Sequence, residues 1–297
     1  MPPPLTEPGL QSHSALVQAG DMMRSYARPQ NLDEAIGLMA QSPRRLLAGG
    51  TDLYPTAGQG LEGDIMDLTA IPSLVGLTCG NDIRIGACTT WTALAEADLP
   101  PALRGLQQAA RQIGGRQIQN AGTLGGNLCN ASPAADGVPP LLTLDAVVEL
   151  VGPSGLRLLP LANFLVGPRQ TLRNSDEVLT AVIVPQSALS GRSAFHKLGA
   201  RAYLVISIAM VATRLQVEKG TITAAAIAVG ACSGVAKRLT AVETALTGTT
   251  VDEAKNRIAD ADVAAALSPI DDVRSTALYR GAAAAELVRR AVKEALA

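Results

Sequence analysis

The sequence predicts an α+β protein of two domains, and three observations support that fold class. Strand-like and helix-like segments alternate over residues 23–187 in a compact α/β pattern. The composition changes at Pro185–Gly191, where "PQSALSG" separates two patterned regions. Beyond that point the strands precede the helices, which is typical of an α+β domain rather than of a doubly wound sheet. We therefore predict domains at residues 23–187 and 191–297, preceded by a flexible arm at residues 1–22.

The first domain contains strand and helix patterns in mixed order. Residues 31–40 predict a helix, with Asp33 near its start and apolar residues on one stripe. Residues 44–50 predict a strand that ends in paired glycines. Further strands are predicted at 64–71, 82–87 and 145–152, and further helices at 89–98 and 101–114.

The second domain contains three predicted strands followed by three predicted helices. The strands are at 193–199, 206–220 and 222–232, and the helices are at about 238–247, 251–264 and 277–296. The expected fold is therefore a small three-stranded sheet covered by helices.

The composition of the 297-residue chain is that of a globular protein, with 47 % apolar and 17 % charged residues. A net charge of −1 and an aromatic content of 2 % argue against a nucleic-acid partner, which favours basic and aromatic surfaces. The four cysteines, Cys79, Cys88, Cys129 and Cys232, include no C-x-x-C pair. We therefore expect neither an iron–sulfur cluster nor a zinc site in this chain.

The sequence also indicates where the protein resides. No basic start followed by an apolar run marks a signal peptide. The most apolar stretch, residues 202–212, is shorter than the roughly 20 residues that a membrane-spanning helix requires. We expect a cytoplasmic protein with reduced thiols and no membrane span.

Two glycine-rich loops carry the most informative chemistry. The first, "LLAGGTDL" at 46–53, ends a strand in Gly49 and Gly50, followed by the hydroxyl of Thr51. The second, "GTLGGNLCNASPAAD" at 122–136, repeats this pattern with Gly125 and Gly126. Paired glycines allow a phosphate to approach backbone amides without obstruction by a Cβ atom.

Neither loop has the lysine of a P-loop or the G-x-G-x-x-G of a Rossmann turn. Amides and hydroxyls would therefore hold any phosphate bound here. Two such loops suit a ligand with two linked phosphates that is held from both sides. The alternative is that they are two unrelated structural turns.

Both loops, together with "DEVLTAVIVP" at 176–185, resemble the signature stretches of the FAD-binding (medium) subunit of molybdenum hydroxylases, the xanthine dehydrogenase and carbon monoxide dehydrogenase family. The stretches "FHKLGARAYLVIS" (195–207), "GACSGVAKRLTAVETALTG" (230–248) and "DDVRSTALYR" (271–280) resemble the C-terminal domain of that subunit. The resemblance covers roughly residues 22–290. It implies a two-lobed FAD-binding domain of the PCMH type, followed by the smaller α+β domain.

The resemblance also implies the residues that bind FAD. The two loops would hold the pyrophosphate, whereas the remaining positions would contact the nucleotide or the flavin. Ile113 stands where some relatives have an aromatic residue, and Tyr203, with Arg201 close by in the same stretch, is expected to shield one face of the flavin ring. The full set is Leu46, Leu47, Ala48, Gly49, Gly50, Thr51, Asp52, Leu53, Ile113, Thr123, Leu124, Gly125, Gly126, Asn127, Asp136, Leu179, Lys197 and Tyr203.

Two reactive side chains are not assigned to catalysis, and we predict no catalytic residue in this chain. His196 lies in a predicted strand, and nothing near it in sequence supplies a carboxylate partner. Cys129 follows the second glycine pair and could suggest a covalent flavin. We interpret it as a small buried thiol and predict that FAD is bound non-covalently.

The function implied by the resemblance is electron transfer within a complex. A large subunit with the molybdenum cofactor would oxidise the substrate, and a small subunit would pass electrons through [2Fe–2S] clusters. FAD in this chain would deliver them to NAD⁺, oxygen or a quinone. Two alternatives stay open, namely an assembly subunit that has lost FAD and a free-standing flavoenzyme of the same fold.

Overall fold

A computed structural model describes residues 25–58 and 60–297 of the chain, so the predicted arm at residues 1–22 lies outside the described residues. The chain forms a small N-terminal lobe, a larger second lobe and a C-terminal domain. No helix in the described ranges is both long enough and apolar enough to cross a membrane.

The N-terminal lobe is a three-stranded parallel sheet with one helix. Its elements are β1 (Tyr26–Ala27), α1 (Leu32–Gln41), β2 (Arg45–Leu47) and β3 (Ile65–Asp67), in the sheet order β1-β3-β2. Helix α1 begins where the sequence predicts it. The Asn31 side chain accepts a hydrogen bond from the amide of Glu34, whose carboxylate in turn accepts one from the amide of Gln30.

The second lobe is a five-stranded antiparallel sheet with short helices packed beside it. Its elements are β4 (Leu77–Cys79), β5 (Ile83–Gly86), α2 (Trp91–Glu96), α3 (Arg104–Gln112), α4 (Arg116–Ala121), α5 (Leu124–Asn130), α6 (Val138–Thr143), β6 (Val147–Gly152), β7 (Gly155–Pro160), α7 (Leu161–Phe164), β8 (Leu165–Gly167), β9 (Gln170–Thr171) and β10 (Val178–Val184). The sheet order is β4-β5-β10-β6-β7, and β8 and β9 form a separate hairpin. Trp91, Leu94, Leu128 and Phe164 belong to the core between sheet and helices.

The C-terminal domain has the predicted order of strands followed by helices. Its elements are β11 (Arg192–Leu198), β12 (Ala209–Glu218), β13 (Thr221–Gly230), β14 (Lys237–Arg238), α8 (Thr240–Leu246), α9 (Asp260–Ala265) and α10 (Ala277–Leu296). The three predicted strands are present, but β14 pairs with β13 and makes the sheet four-stranded. Helix α10 has the predicted bounds and buries a stripe that includes Ala284, Val288 and Ala291.

Two predicted elements are wrong in part. The helix expected at 251–264 is a 3-10 turn at Ala254–Arg257 followed by the shorter α9. Arg289 donates a hydrogen bond to the carbonyl of Ile258, between the two pieces, where the backbone is extended. The loop expected at 122–136 contains α5 at Leu124–Asn130, which is capped by the Thr123 side chain.

Polar contacts fasten the C-terminal domain to the second lobe where α3 packs on β11. The amide of the buried Gly105 donates to Ser193 Oγ at 2.8 Å. The amide of Phe195 donates to Gln108 Oε1 at 2.7 Å. A Cβ on Gly105 would lie 3.1 Å from the carbonyl oxygen of Ala194, so helix and strand are almost in backbone contact.

We predict that Ser193→Ala weakens this contact between the domains. The substitution leaves the buried amide of Gly105 without its acceptor, which costs about 1–3 kcal/mol. Denaturant unfolding should show this loss, whereas Ser154→Ala, in the exposed turn between β6 and β7, should leave the free energy of unfolding unchanged. Equal stability of the two variants would contradict this account of the interface.

Candidate cofactor site

A cavity of about 1340 Å³ lies where the two lobes and the C-terminal domain meet. Its lining includes residues 44–53 from the N-terminal lobe, residues 122–136 in part from the second lobe, and Lys197 with residues 204–206 from the C-terminal domain. The volume exceeds the roughly 300–1,000 Å³ of sites for drug-sized ligands. The cavity therefore suits an extended ligand such as a dinucleotide.

The first glycine loop reaches the cavity because Gly49 packs directly on the other lobe. A Cβ on Gly49 would lie 1.9 Å from the carbonyl oxygen of Ala121, so only glycine allows this approach. Gly50 has φ +68°, in the left-handed region that favours glycine. This loop thus joins the lobes by backbone contact.

The amides of this loop are available to a ligand. Within residues 25–58 and 60–297, no protein acceptor takes the amide hydrogens of Gly49, Gly50, Thr51 or Asp52. Consecutive amides without partners form a concavity for an anion. This is the arrangement that the sequence predicts for the first loop.

The second glycine loop is built differently, which corrects part of the prediction. The amide of Gly125 donates to the carbonyl of Ala87 at 2.8 Å, and the amide of Gly126 donates to Thr123 Oγ1 at 3.1 Å. These two amides are therefore not free to bind a pyrophosphate. Gly125 serves packing instead, since a Cβ there would lie 2.7 Å from that of Ala87.

Arginines that the sequence analysis did not assign to cofactor binding give the cavity a positive charge. The lining contains Arg44, Arg45, Arg169, Arg173 and Arg201. No carboxylate of the described residues lies within salt-bridge distance of any of the five. Most of the other described arginines do lie within salt-bridge distance of a carboxylate. The cavity therefore favours an anionic ligand although the whole chain carries a net charge of −1.

Asp136 and Lys197 form a buried ion pair in the cavity wall. Lys197 Nζ lies 2.5 Å from Asp136 Oδ2, and both side chains are more than nine-tenths buried. Ser207 donates a hydrogen bond to the other oxygen of Asp136, and Lys197 also donates to the carbonyl of Gln112 at 3.3 Å. Burial raises the pKa of Asp136, and the Lys197 ammonium opposes that rise.

The structure brings most of the predicted residues together. All of them except Leu124 and Tyr203 line the cavity. Leu124, the first residue of α5, is fully buried in the core of the second lobe. Tyr203 is 70 % exposed beside the lining residue Leu204, so its contact with the flavin stays a prediction. Asn127 adds a buried Oδ1 without a donor among the described residues, which a ligand donor could satisfy.

The two reactive side chains occupy different surroundings from those expected. Cys129 lines the cavity as an exposed residue, whereas its thiol is surrounded by protein atoms, and this desolvation raises the pKa of the thiol to about 11. A thiol with so high a pKa is a poor nucleophile at neutral pH, which is consistent with non-covalent binding. His196 has a carboxylate neighbour from a distant part of the chain, since its Nε2 lies 2.9 Å from Glu294 Oε2, although without hydrogen-bond geometry. His196 does not line the cavity.

Comparison with known protein families identifies matches to both parts of the chain. The family described as FAD binding domain in molybdopterin dehydrogenase matches residues 21–187. The family described as CO dehydrogenase flavoprotein C-terminal domain matches residues 193–295. Clusters of three or more His, Cys, Asp or Glu side chains that could hold a metal ion are absent from the described ranges.

Individual relatives give the same result. The putative xanthine dehydrogenase FAD-binding subunit of Escherichia coli is 35 % identical over 69 % of this chain and 73 % of its own length. The nicotine 6-hydroxylase medium subunit of Paenarthrobacter nicotinovorans is 30 % identical over 91 % of this chain and 96 % of its own. Among solved structures, a carbon monoxide dehydrogenase from Hydrogenophaga pseudoflava has a chain that superposes with a TM-score of 0.84 at 31 % identity, covering 92 % of this chain and 97 % of that one.

We predict that Gly49→Ala weakens FAD binding at least about tenfold, because the added Cβ forces the first loop away from the second lobe. Gly60→Ala is the matched control, since a Cβ there meets no atom within 4 Å. The dissociation constants can be measured by the change in flavin fluorescence when the apo-protein is titrated. The same affinity in both variants would exclude the proposed role of Gly49.

Proposed function

The chain belongs to the family of FAD-binding subunits of molybdopterin dehydrogenases, and on that premise we propose that it transfers electrons within a multi-subunit oxidoreductase. In this proposal electrons arrive from [2Fe–2S] clusters of a small partner subunit, while a large partner subunit carries the molybdenum cofactor. The electrons then pass from this chain to an external acceptor. Bound FAD supplies the redox chemistry, because a flavin can exchange electrons one or two at a time.

The observation that carries the proposal is the combination of free amides and uncompensated arginines in one cavity. The amides of residues 49–52 can hold a pyrophosphate, and five arginines with no carboxylate partner in the part of the chain that the structure describes supply positive charge around it. A protein that kept the fold but had lost its cofactor would have no need to maintain unpaired charge and unsatisfied amides. These features therefore count against a cofactor-free assembly subunit.

The residues of the chain would bind and orient the cofactor. The first loop would fix the pyrophosphate, and Leu179 and Ile113 would provide apolar contacts. The Asp136–Lys197 pair would present polar groups to the flavin in a fixed orientation. Both side chains are buried in the cavity wall, so water does not reach them from the protein interior. No group of the chain is needed for bond making, which agrees with the absence of a predicted catalytic residue.

We predict that the purified chain is yellow and that acid or heat releases all of its flavin into solution. The high pKa of Cys129 and the position of His196 outside the cavity are the physical reasons. The check is the absorbance of the supernatant and of the precipitated polypeptide. Flavin that stays on the denatured chain would show a covalent link.

We also predict that the chain works in a complex with two other subunits. Affinity purification of the tagged chain from its native source should yield molybdenum and iron together with flavin, in a particle that oxidises its substrate. The isolated chain should hold FAD but should not be reduced by that substrate. Full substrate oxidation by the isolated chain would favour a free-standing flavoenzyme and overturn the proposal.

A further inference from the structure

Arg280, near the start of α10, is a buried arginine outside the cavity that has no place in the function described so far. It is 3 % exposed, and its guanidinium holds three acceptors that belong to separate segments. Nη1 donates to the carbonyls of Ile208 at 2.7 Å and Ala231 at 3.0 Å. Nη2 donates to Asp272 Oδ1 at 2.6 Å.

The carbonyl of Ile208, which Arg280 holds, lies next in sequence to a side chain that contacts the cavity wall. Ile208 follows Ser207, and Ser207 donates a hydrogen bond to Asp136 Oδ1. Asp136 lines the cavity and pairs with Lys197. By holding the carbonyl of Ile208, Arg280 fixes the backbone from which the Ser207 hydroxyl reaches Asp136.

The carbonyl of Ala231 belongs to a residue that also contacts the segment containing Asp136. The amide of Ala231 donates to the carbonyl of Pro133 at 3.0 Å, and the neighbours of Pro133 at residues 132 and 134–136 line the cavity. Ala231 has φ 62°, a conformation that L residues rarely adopt. The amide of Ala231 thus binds Pro133 while its carbonyl binds Arg280, so Arg280 helps to fix the residue that contacts Pro133.

Packing alone does not require an arginine at position 280. Burial of a guanidinium is costly, and an apolar residue of similar volume would often stabilise a core as well as a buried ion pair does. What an apolar residue or a lysine cannot supply is a planar fork that reaches two carbonyls and a carboxylate together. Asp272 supplies the compensating charge, and hydrogen bonds from the Arg274 amide and from Arg280 hold its pKa at about 2.

We propose that Arg280 is a positioning residue for the flavin site, which sets the placement of the Asp136 carboxylate through Ser207 and through the Ala231–Pro133 contact. The proposal rests on FAD occupying the cavity, as in the function proposed above. It predicts that a change at Arg280 alters how FAD is held, although the side chain itself does not line the cavity.

The test compares Arg280→Met with a matched control, Arg214→Met. Arg214 is likewise buried, donates to the carbonyl of Thr143 at 2.8 Å and pairs with Asp145, but neither it nor these partners line the cavity. We expect R280M to weaken FAD binding roughly tenfold and to shift the visible absorption spectrum of the bound flavin. R214M should lower the unfolding temperature and leave both flavin properties unchanged.

A double-mutant cycle with Ser207→Ala tests the route. If Arg280 acts through Ser207, the effects of R280M and S207A on the FAD dissociation constant are not additive, because each removes the same support of Asp136. Arg280→Lys keeps one charged donor and should restore part of the affinity. R280K also replaces R280M in the cycle if the methionine variant does not fold.

The outcomes separate the two proposals. If the wild-type chain binds no FAD, the proposed function fails. If the wild type binds FAD and R280M binds it with unchanged affinity and spectrum, or no differently from R214M, the role of Arg280 is overturned. Additive effects of R280M and S207A on FAD binding would overturn the route through Ser207, and with it the proposal that Arg280 acts by both routes.

Discussion

The cavity at the meeting point of the lobes depends on one buried ion pair, between Asp136 of the second lobe and Lys197 of the C-terminal domain. Removing two charges from water is costly, and their attraction offsets this cost only when further hydrogen bonds satisfy them. Ser207 and the carbonyl of Gln112 supply those bonds. Because the partners come from different domains, the cavity wall is complete only when the C-terminal domain is docked.

This pair explains why the α+β domain belongs to the site although it supplies few of its residues. The contacts of α3 with β11 place the strand, and Lys197 extends from that strand into the cavity wall. On the opposite side, the contact of Gly49 with the backbone of Ala121 draws the small lobe against the large one. The cavity is therefore a junction of three parts, which suits a ligand long enough to contact them all.

Much of this could be predicted from the sequence, and what could not be predicted has identifiable physical causes. Helix α10 was predictable because its apolar stripe is long and regular. Helix α5 was not, because "LGGNLCN" has poor helix propensity, and its first turn is stabilised by contacts of Gly125 with Ala87 that no local pattern shows. Arg44, Arg45, Arg169 and Arg173 escaped prediction for the same reason, whereas the resemblance already placed Arg201 in a stretch near the flavin. Residues 44, 169 and 173 do not adjoin in the chain, and only the fold brings them to one cavity, where no carboxylate of the described residues pairs with them.

The backbone around the cavity shows a further reason why local rules fail there. Four non-glycine residues with positive φ lie at the cavity or beside it, namely Ala131, Arg169, Leu204 and Ala231. Such conformations cost of order 1–3 kcal/mol each and persist only when surrounding contacts determine them. The contacts are present, since the Arg169 amide donates to the Ala131 carbonyl, Arg201 holds the carbonyl of Leu204, and Arg280 holds that of Ala231. Residues that favour a left-handed conformation are absent at these four positions. The contact at Leu204 is local, whereas those at Ala131, Arg169 and Ala231 join residues distant in sequence, so local rules could not predict them.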